Sequence, residues 1–306
     1  MSWLAKQIKV VLRTKGDAHA AIEAMMNTVR EEYDARRSRG ELRVHDKDGE
    51  GVLYGERNYV MRNPQTGAMV LTCSREMISV GKEEGFSRGL FNQKQLQIND
   101  SDVRLISYEA PMLRKSSGRG GGICKLDLVA LDDAAIWAIE YKQRPGQVTT
   151  TRYGILEALA YGFLMACHIR DCKEAMRKQV AKCMECRGPF AAPVLAVPDV
   201  VKFVVAAPFK FYCEDLRTPR RLRLTEAICH LARGYSNEIS QQHRLRLHFG
   251  GVLVIGSEGV ELVGNPVSKD KNEKEIVVPY FSRSPVTARA FDDIQGVWDH
   301  VKKKCK

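Results

Sequence analysis

Two acids and a lysine within ICKLDLVALDDAAIWAIEYK, residues 123–142, carry the strongest chemical signal in the chain. Two β-rich apolar runs flank the turn-like Asp132–Ala135, which predicts a β-hairpin. With that segment as the loop, Leu131 faces Ile136, and counting back sets Asp127 opposite Glu140. Directly paired residues project from one sheet face. Lys142, two positions beyond Glu140, shares that face. Two carboxylates and an ammonium group thus converge within segments apolar enough to be buried. Buried charge is costly unless it is partnered. A divalent metal ion would satisfy both acids at once. The competing reading is an edge hairpin whose Asp, Glu and Lys are solvated.

Other elements must hold that hairpin in place. VRLISYEA, from Val103, alternates as a strand, and RKSSGRGGG at 114–122 reads as a loop rich in Gly, Ser and cations. After the hairpin, TTTRYGILEALAYGFLMACHI reads as a helix over 149–168, opened by threonine caps. A second helix is expected over 171–185, and VKFVVAAPF at 201–209 as a strand buried on both faces. Thr218-Pro219 opens a further helix, with Pro at the tolerated first turn. Residues 245–256 and 259–264 read as late strands. Upstream, residues 17–37 have helical spacing with Asp17 as cap, and Asn63–Gly67 marks the turn of a hairpin. Residues 81–101 read as a linking loop with one short helix. The division that follows is an N-terminal helix and hairpin extension over 1–100, a core over 101–265, and a polar loop with a basic tail over 266–306.

An acid on one strand followed by Glu140-Tyr141-Lys142 on the next, in this order of elements, resembles the PD-(D/E)XK nuclease superfamily. The likeness covers about residues 103–165. Leu126 stands where the motif has Pro, a residue that members often lack. The resemblance implies an α/β restriction-endonuclease-like core, a mixed β-sheet flanked by helices. It also implies a Mg²⁺- or Mn²⁺-dependent deoxyribonuclease in DNA processing, repair or defence. Asp127 and Glu140 would bind the metal, with the Tyr141 carbonyl as a further ligand. Lys142 would orient the attacking water or stabilise the transition state, and a burial-lowered pKa would let it act as a base. Glu109, ending the preceding strand, is either a ligand of a second metal or a surface carboxylate. Glu157 and Tyr161 lie one helical turn apart, where the RecB-type exonuclease branch has Gln-x-x-x-Tyr. Glu in place of Gln leaves that subtype open, and Glu157 is either a supporting residue at the site or an exposed helical Glu.

The net charge of +11 over 306 residues suits a polyanion. Lys115, Arg119, Gln143 and Arg144 flank the proposed site as phosphate contacts. Arg220, Arg221 and Arg223 form a second cluster, equally readable as a solvated basic face. The expected partner is DNA, with RNA not excluded, and a helicase or defence component is a further possible partner. The alternative class is a non-catalytic nucleic-acid-binding or scaffold protein that keeps the fold. No long apolar run or signal peptide is read, so a cytoplasmic protein outside the membrane is expected. The nine cysteines then read as reduced thiols. Cys183 and Cys186 form an isolated CxxC, and Cys167 and Cys172 read as helix packing, so no bound zinc or iron is expected there. No Walker loop, nucleophile elbow or paired metal-binding histidines occur.

Overall fold

Caps and apolar spacing set the first helices. The computed structural model describes residues 3–42, 53, 60–62, 69–79, 82–113, 125–144, 146, 150–187, 198–256, 261–282 and 286–305. Helix α1 (Trp3–Arg13) buries Leu4, Ile8 and Val11 on one face. Helix α2 (Ala18–Ser38) starts at Asp17, whose carboxylate accepts from the N–H groups of His19 and Ala20. Strands β1 (Val60–Arg62) and β2 (Met69–Leu71) pair as the expected hairpin. Strand β3 (Cys73–Ser74), α3 (Arg75–Ser79), α4 (Glu83–Asn92) and β4 (Gln95–Ile98) follow. The linking loop expected over 81–101 is therefore mostly regular structure. Leu90 and Phe91 anchor α4, and Leu96 and Ile98 alternate inward on β4.

The central hairpin forms as the residue pattern requires. Strands β5 (Ser101–Pro111), β6 (Lys125–Leu131) and β7 (Ile136–Tyr141) make an antiparallel meander in which Leu131 pairs with Ile136. Asp132 closes the loop: its carboxylate accepts from the N–H groups of Ala134 and Ala135 and from Trp137 Nε1. Helix α5 (Thr151–Asp171), capped by Thr150, and α6 (Lys173–Arg187) lead to β8 (Val201–Pro208), parallel to β7. Helix α7 (Phe209–Asp215), then α8 (Pro219–His243), capped by Thr218, lead to β9 (Leu247–Ile255), parallel to β8. Strands β10 (Leu262–Lys269) and β11 (Glu275–Phe281) form a hairpin, followed by β12 (Val286–Phe291) and α9 (Ile294–Val301). The stretch 266–306 is thus more than a polar loop and tail. Val286 and Ala288 face inward from β12, and Ile294, Val297 and Val301 bury one face of α9.

The architecture is mixed α/β. Seven strands, in the order β12-β4-β5-β6-β7-β8-β9, close into a barrel. Closure depends on β12, which pairs with β4 in parallel and with β9 antiparallel. Alternation along the strands builds two apolar cores. Trp137, Ile139 and Tyr141 of β7 join residues of all seven strands in the lumen. Ile136 and Ala138 face outward into a second core with α1, α2, α5, α8 and α9. Asp127 and Glu140 share this outward face, beneath α5.

The reduced-thiol expectation is corrected at one pair. Cys213 of α7 and Cys305 are joined in a disulfide, so the C-terminal segment is tied to the barrel. Cys73, Cys167, Cys172, Cys183, Cys186 and Cys229 are free thiols. Among the described residues no helix is long and apolar enough to cross a membrane.

Candidate functional site

The site is built where β7 ends and α5 begins. Continuing the β6–β7 register sets Asp127 level with Glu140. The N–H of Tyr141 donates to Asp127 Oδ2 at 2.9 Å. Lys142 Nζ donates to Glu140 Oε1 at 2.7 Å and lies 2.8 Å from Glu157 Oε2 on α5. The Glu157 contact is charge pairing without hydrogen-bond alignment. Glu140 and Lys142 are each only 4% exposed. Tyr153, one turn before Glu157, brings its ring to 5.9 Å from Lys142 Nζ. Gly154 lets the helix approach this closely. A Cβ there would meet Val205 Cγ2 at 2.6 Å and Lys142 Cε at 3.4 Å.

A fourth carboxylate arrives from α4. Glu83 accepts from the Gln143 N–H at 3.1 Å, and its charge acts on both Lys142 and Asp127. The linking-loop reading of 81–101 missed it. Asp127, Glu140, Glu157 and Glu83 therefore share one buried lysine. Burial, the largest influence, pushes Asp127 up to about 7, with Lys142 and the Tyr141 N–H pulling down and Glu83 and Glu157 adding to the rise. Burial and then Asp127 hold Glu140 well above the usual carboxylate range, with Lys142 opposing. For Lys142, burial alone would lower the pKa, but Glu140, Glu157, Asp127 and Glu83 outweigh it and raise it well above the ordinary value. The lysine is therefore a fixed cation, and the expectation of a lowered pKa is corrected.

Of the other expected residues, Glu157 joins the cluster and Glu109 does not. Glu109 has φ +46°, in the left-handed region, which turns its side chain out of the strand alternation. It accepts from Lys125 Nζ at 2.7 Å. Tyr141 buries its ring in the lumen core, and its hydroxyl hydrogen-bonds Gln143. Tyr161 is buried in the outer core. Gln143 is half-buried at the site's rim and Arg144 is exposed beside it. Lys115 and Arg119 lie outside the described residues.

Cations gather at the same end of the barrel. The N-termini of α5 and α8 both lie at the edge where β7 and β8 end. Burial, and then repulsion from Arg221 and Arg220 against the attraction of Asp215, lowers the pKa of Arg152. These three arginines are therefore neighbours beside the acid cluster. Arg220, Arg221 and Arg223 are solvent-exposed on the first turns of α8.

Among the described residues, no three His, Cys, Asp or Glu side chains are grouped to hold a metal ion. Mg²⁺ asks for less, binding through one or two carboxylates and retaining several waters. Asp127 and Glu140 fit that requirement. Glu140 Oε2 is buried without a hydrogen-bond partner, and four acids crowd around one lysine, with Asp127 and Glu140 held above their ordinary carboxylate range. No family model, curated protein or solved structure matches this chain.

Proposed function

We propose that the chain is a metal-dependent nuclease that hydrolyses phosphodiester bonds of DNA, on a core of the PD-(D/E)XK type. One observation carries the proposal. Asp127, Glu140 and Lys142 converge on one face of adjacent strands, with more acids around the lysine than one ammonium group can pair. The meander β5–β6–β7, the crossover through α5 and the parallel β8 match that core's order. Closure of the sheet into a seven-stranded barrel departs from the mixed sheet flanked by helices that the resemblance implies.

Asp127 and Glu140 would hold Mg²⁺, and Glu140 Oε2 is the free ligand atom. When bound, the ion supplies Lewis-acid activation of a water and neutralises charge on the phosphate. Lys142, kept protonated by its four acids, stabilises the negative charge that develops on the phosphorus oxygens. Glu157 and Glu140 together fix its ammonium group. Tyr141 orients Asp127 through its backbone N–H. Arg152, Arg220 and Arg221, with the N-termini of α5 and α8, attract the polyanion's backbone.

The test is incubation of the purified protein with linear, circular and single-stranded DNA in Mg²⁺, Mn²⁺ or EDTA. Cleavage is expected with either metal and none in EDTA. Asp127→Ala, Glu140→Ala and Lys142→Ala should each abolish it while the fold survives. Wild-type rates in two of these variants would refute the site. Salt-sensitive DNA binding with no cleavage under any condition would favour the scaffold alternative.

A further inference from the structure

A second set of cations converges elsewhere on the barrel, away from the acid cluster. A groove of about 630 Å³ lies between the end of β9, the start of β12, the β4–β5 turn and the C-terminal segment. Arg289, His300 and Lys304 line it, with Asp100 as its one carboxylate and Asn99 and Thr287 as neutral polar groups. Among the described residues, Arg289 and Lys304 have no carboxylate within ion-pairing distance. Two cations and an imidazole thus face one open cavity that holds a single carboxylate, Asp100, with which neither cation ion-pairs. Such an arrangement suits an anionic ligand.

The fold fixes these groups. Val254 pairs with Arg289 across β9–β12, so both project from one face. Gly256, at φ +82°, turns the chain away, and a Cβ there would meet nothing. Phe291 backs the groove. Arg289 Cζ lies 5.3 Å from its ring centroid, and the His300 ring 5.2 Å. The Cys213–Cys305 disulfide holds the residue next to Lys304. Burial, then the charges of Arg289 and Lys304, lower the pKa of His300, so an anion here would raise it.

We infer that this groove is a phosphate-binding site for a nucleotide-sized ligand, recognised by Arg289, His300 and Lys304. Its volume is in the range of small-molecule sites, roughly 300–1,000 Å³. The phosphate could belong to a free nucleotide or to a polynucleotide backbone. β12 is three strands from β7 at the same barrel edge, roughly 15 Å from Glu140 at the usual strand spacing. One strand of nucleic acid could span both. The phosphate site itself does not depend on the nuclease reading.

The experiment follows the His300 ring by NMR in histidine-labelled full-length protein, with EDTA present. The probes are inorganic phosphate, a nucleoside 5′-monophosphate and a short single-stranded oligodeoxynucleotide, with chloride at matched ionic strength as control. The phosphate-bearing probes should shift the His300 signal saturably and raise its pKa, while His230 on α8 stays unmoved. Arg289→Gln and Lys304→Gln, both at exposed positions, should each weaken binding about tenfold. Response to the two small probes alone identifies a free nucleotide or phosphate. Response to the oligonucleotide as well identifies the backbone. An unmoved His300 with all three probes, or unchanged affinity in both variants, overturns the inference. DNA cleavage by wild-type protein in Mg²⁺ is scored separately, so the two readings fail independently.

Discussion

Asp127→Asn should stabilise the protein while abolishing the proposed cleavage. The amide has the size of the carboxylate, and its oxygen can still accept from the Tyr141 N–H that Asp127 binds at 2.9 Å. What it removes is a half-buried charge among three other acids. Asp127's pKa rises from 3.8 to about 7 in the fold. At about 1.4 kcal/mol per pK unit, that rise caps the cost of the ionised form at about 4 kcal/mol. Asp127 remains partly open to solvent, which reduces the net gain to roughly 1–2 kcal/mol. At 2–4 °C per kcal/mol, the melting temperature should rise by roughly 2–8 °C. Because the folded pKa lies above the unfolded one, the proton-linked stability is present below pH 3.8 and lost as pH climbs through about 7. The advantage of Asp127→Asn should therefore be largest at alkaline pH and shrink steadily towards acid. Thermal melts in EDTA across that window measure it. Adding Mg²⁺ should raise the wild-type melting temperature and leave the variant nearly unmoved. A variant that melts at or below wild type in EDTA above pH 7 would refute the excess-charge argument.

Gly154→Ala should destabilise the fold and slow cleavage, because its Cβ would lie 2.6 Å from Val205 Cγ2 and would press on the Lys142 stem. The overpacking cost of roughly 1–3 kcal/mol exceeds the helix-propensity gain of about 1 kcal/mol, and denaturant titration with a cleavage assay reads both. Reducing Cys213–Cys305, which closes a 92-residue separation, should cost roughly 2–4 kcal/mol. Melts with and without dithiothreitol check this, and Cys305→Ser should make the protein indifferent to reductant. Charge reversal at Arg220, Arg221 and Arg223 should weaken DNA binding in EDTA and flatten its salt dependence by roughly 0.7–0.9 in slope for each phosphate that α8 no longer neutralises. Unchanged binding in filter or anisotropy titrations would take α8 off the nucleic-acid path.

The hairpin was legible because two local constraints agree. Strand alternation has a period of two, and Asp132 closes a loop of fixed length with its own carboxylate. Together they leave one register, and that register sets Asp127 against Glu140. The starts of α2 and α8 were legible for a similar reason: Asp17 and Thr218 cap their own helices. Barrel closure left no such trace. It depends on Val286–Ala288 lying beside Leu96–Ile98, and neither segment carries a local mark of the other. The Cys213–Cys305 bridge was hidden for the same reason, since an odd number of cysteines names no pair. Glu109 stayed open between two readings because a strand pattern assumes regular backbone, and one left-handed residue turns its side chain towards Lys125.

The charge state of Lys142 shows where local reading runs out. From the hairpin alone, the lysine has two acids and an apolar setting, so burial and attraction compete without a clear winner. The decision comes from outside the hairpin. Glu157 reaches it from α5, and Glu83 acts on it from α4, a segment that read as a loop. With four carboxylates around it, the ammonium form prevails over burial. A lysine held in that way cannot accept a proton from water at neutral pH, so in the proposed reaction it would serve as a positive charge. The same four carboxylates crowd Asp127 and Glu140, and under the proposed function a divalent cation would be their further partner. Burial first, and then the mutual repulsion of these carboxylates, raises Asp127 and Glu140, while the same carboxylates together keep Lys142 protonated. Removing the Glu157 charge with Glu157→Gln should then lower the Lys142 pKa, a change that NMR of the lysine side chain would detect directly.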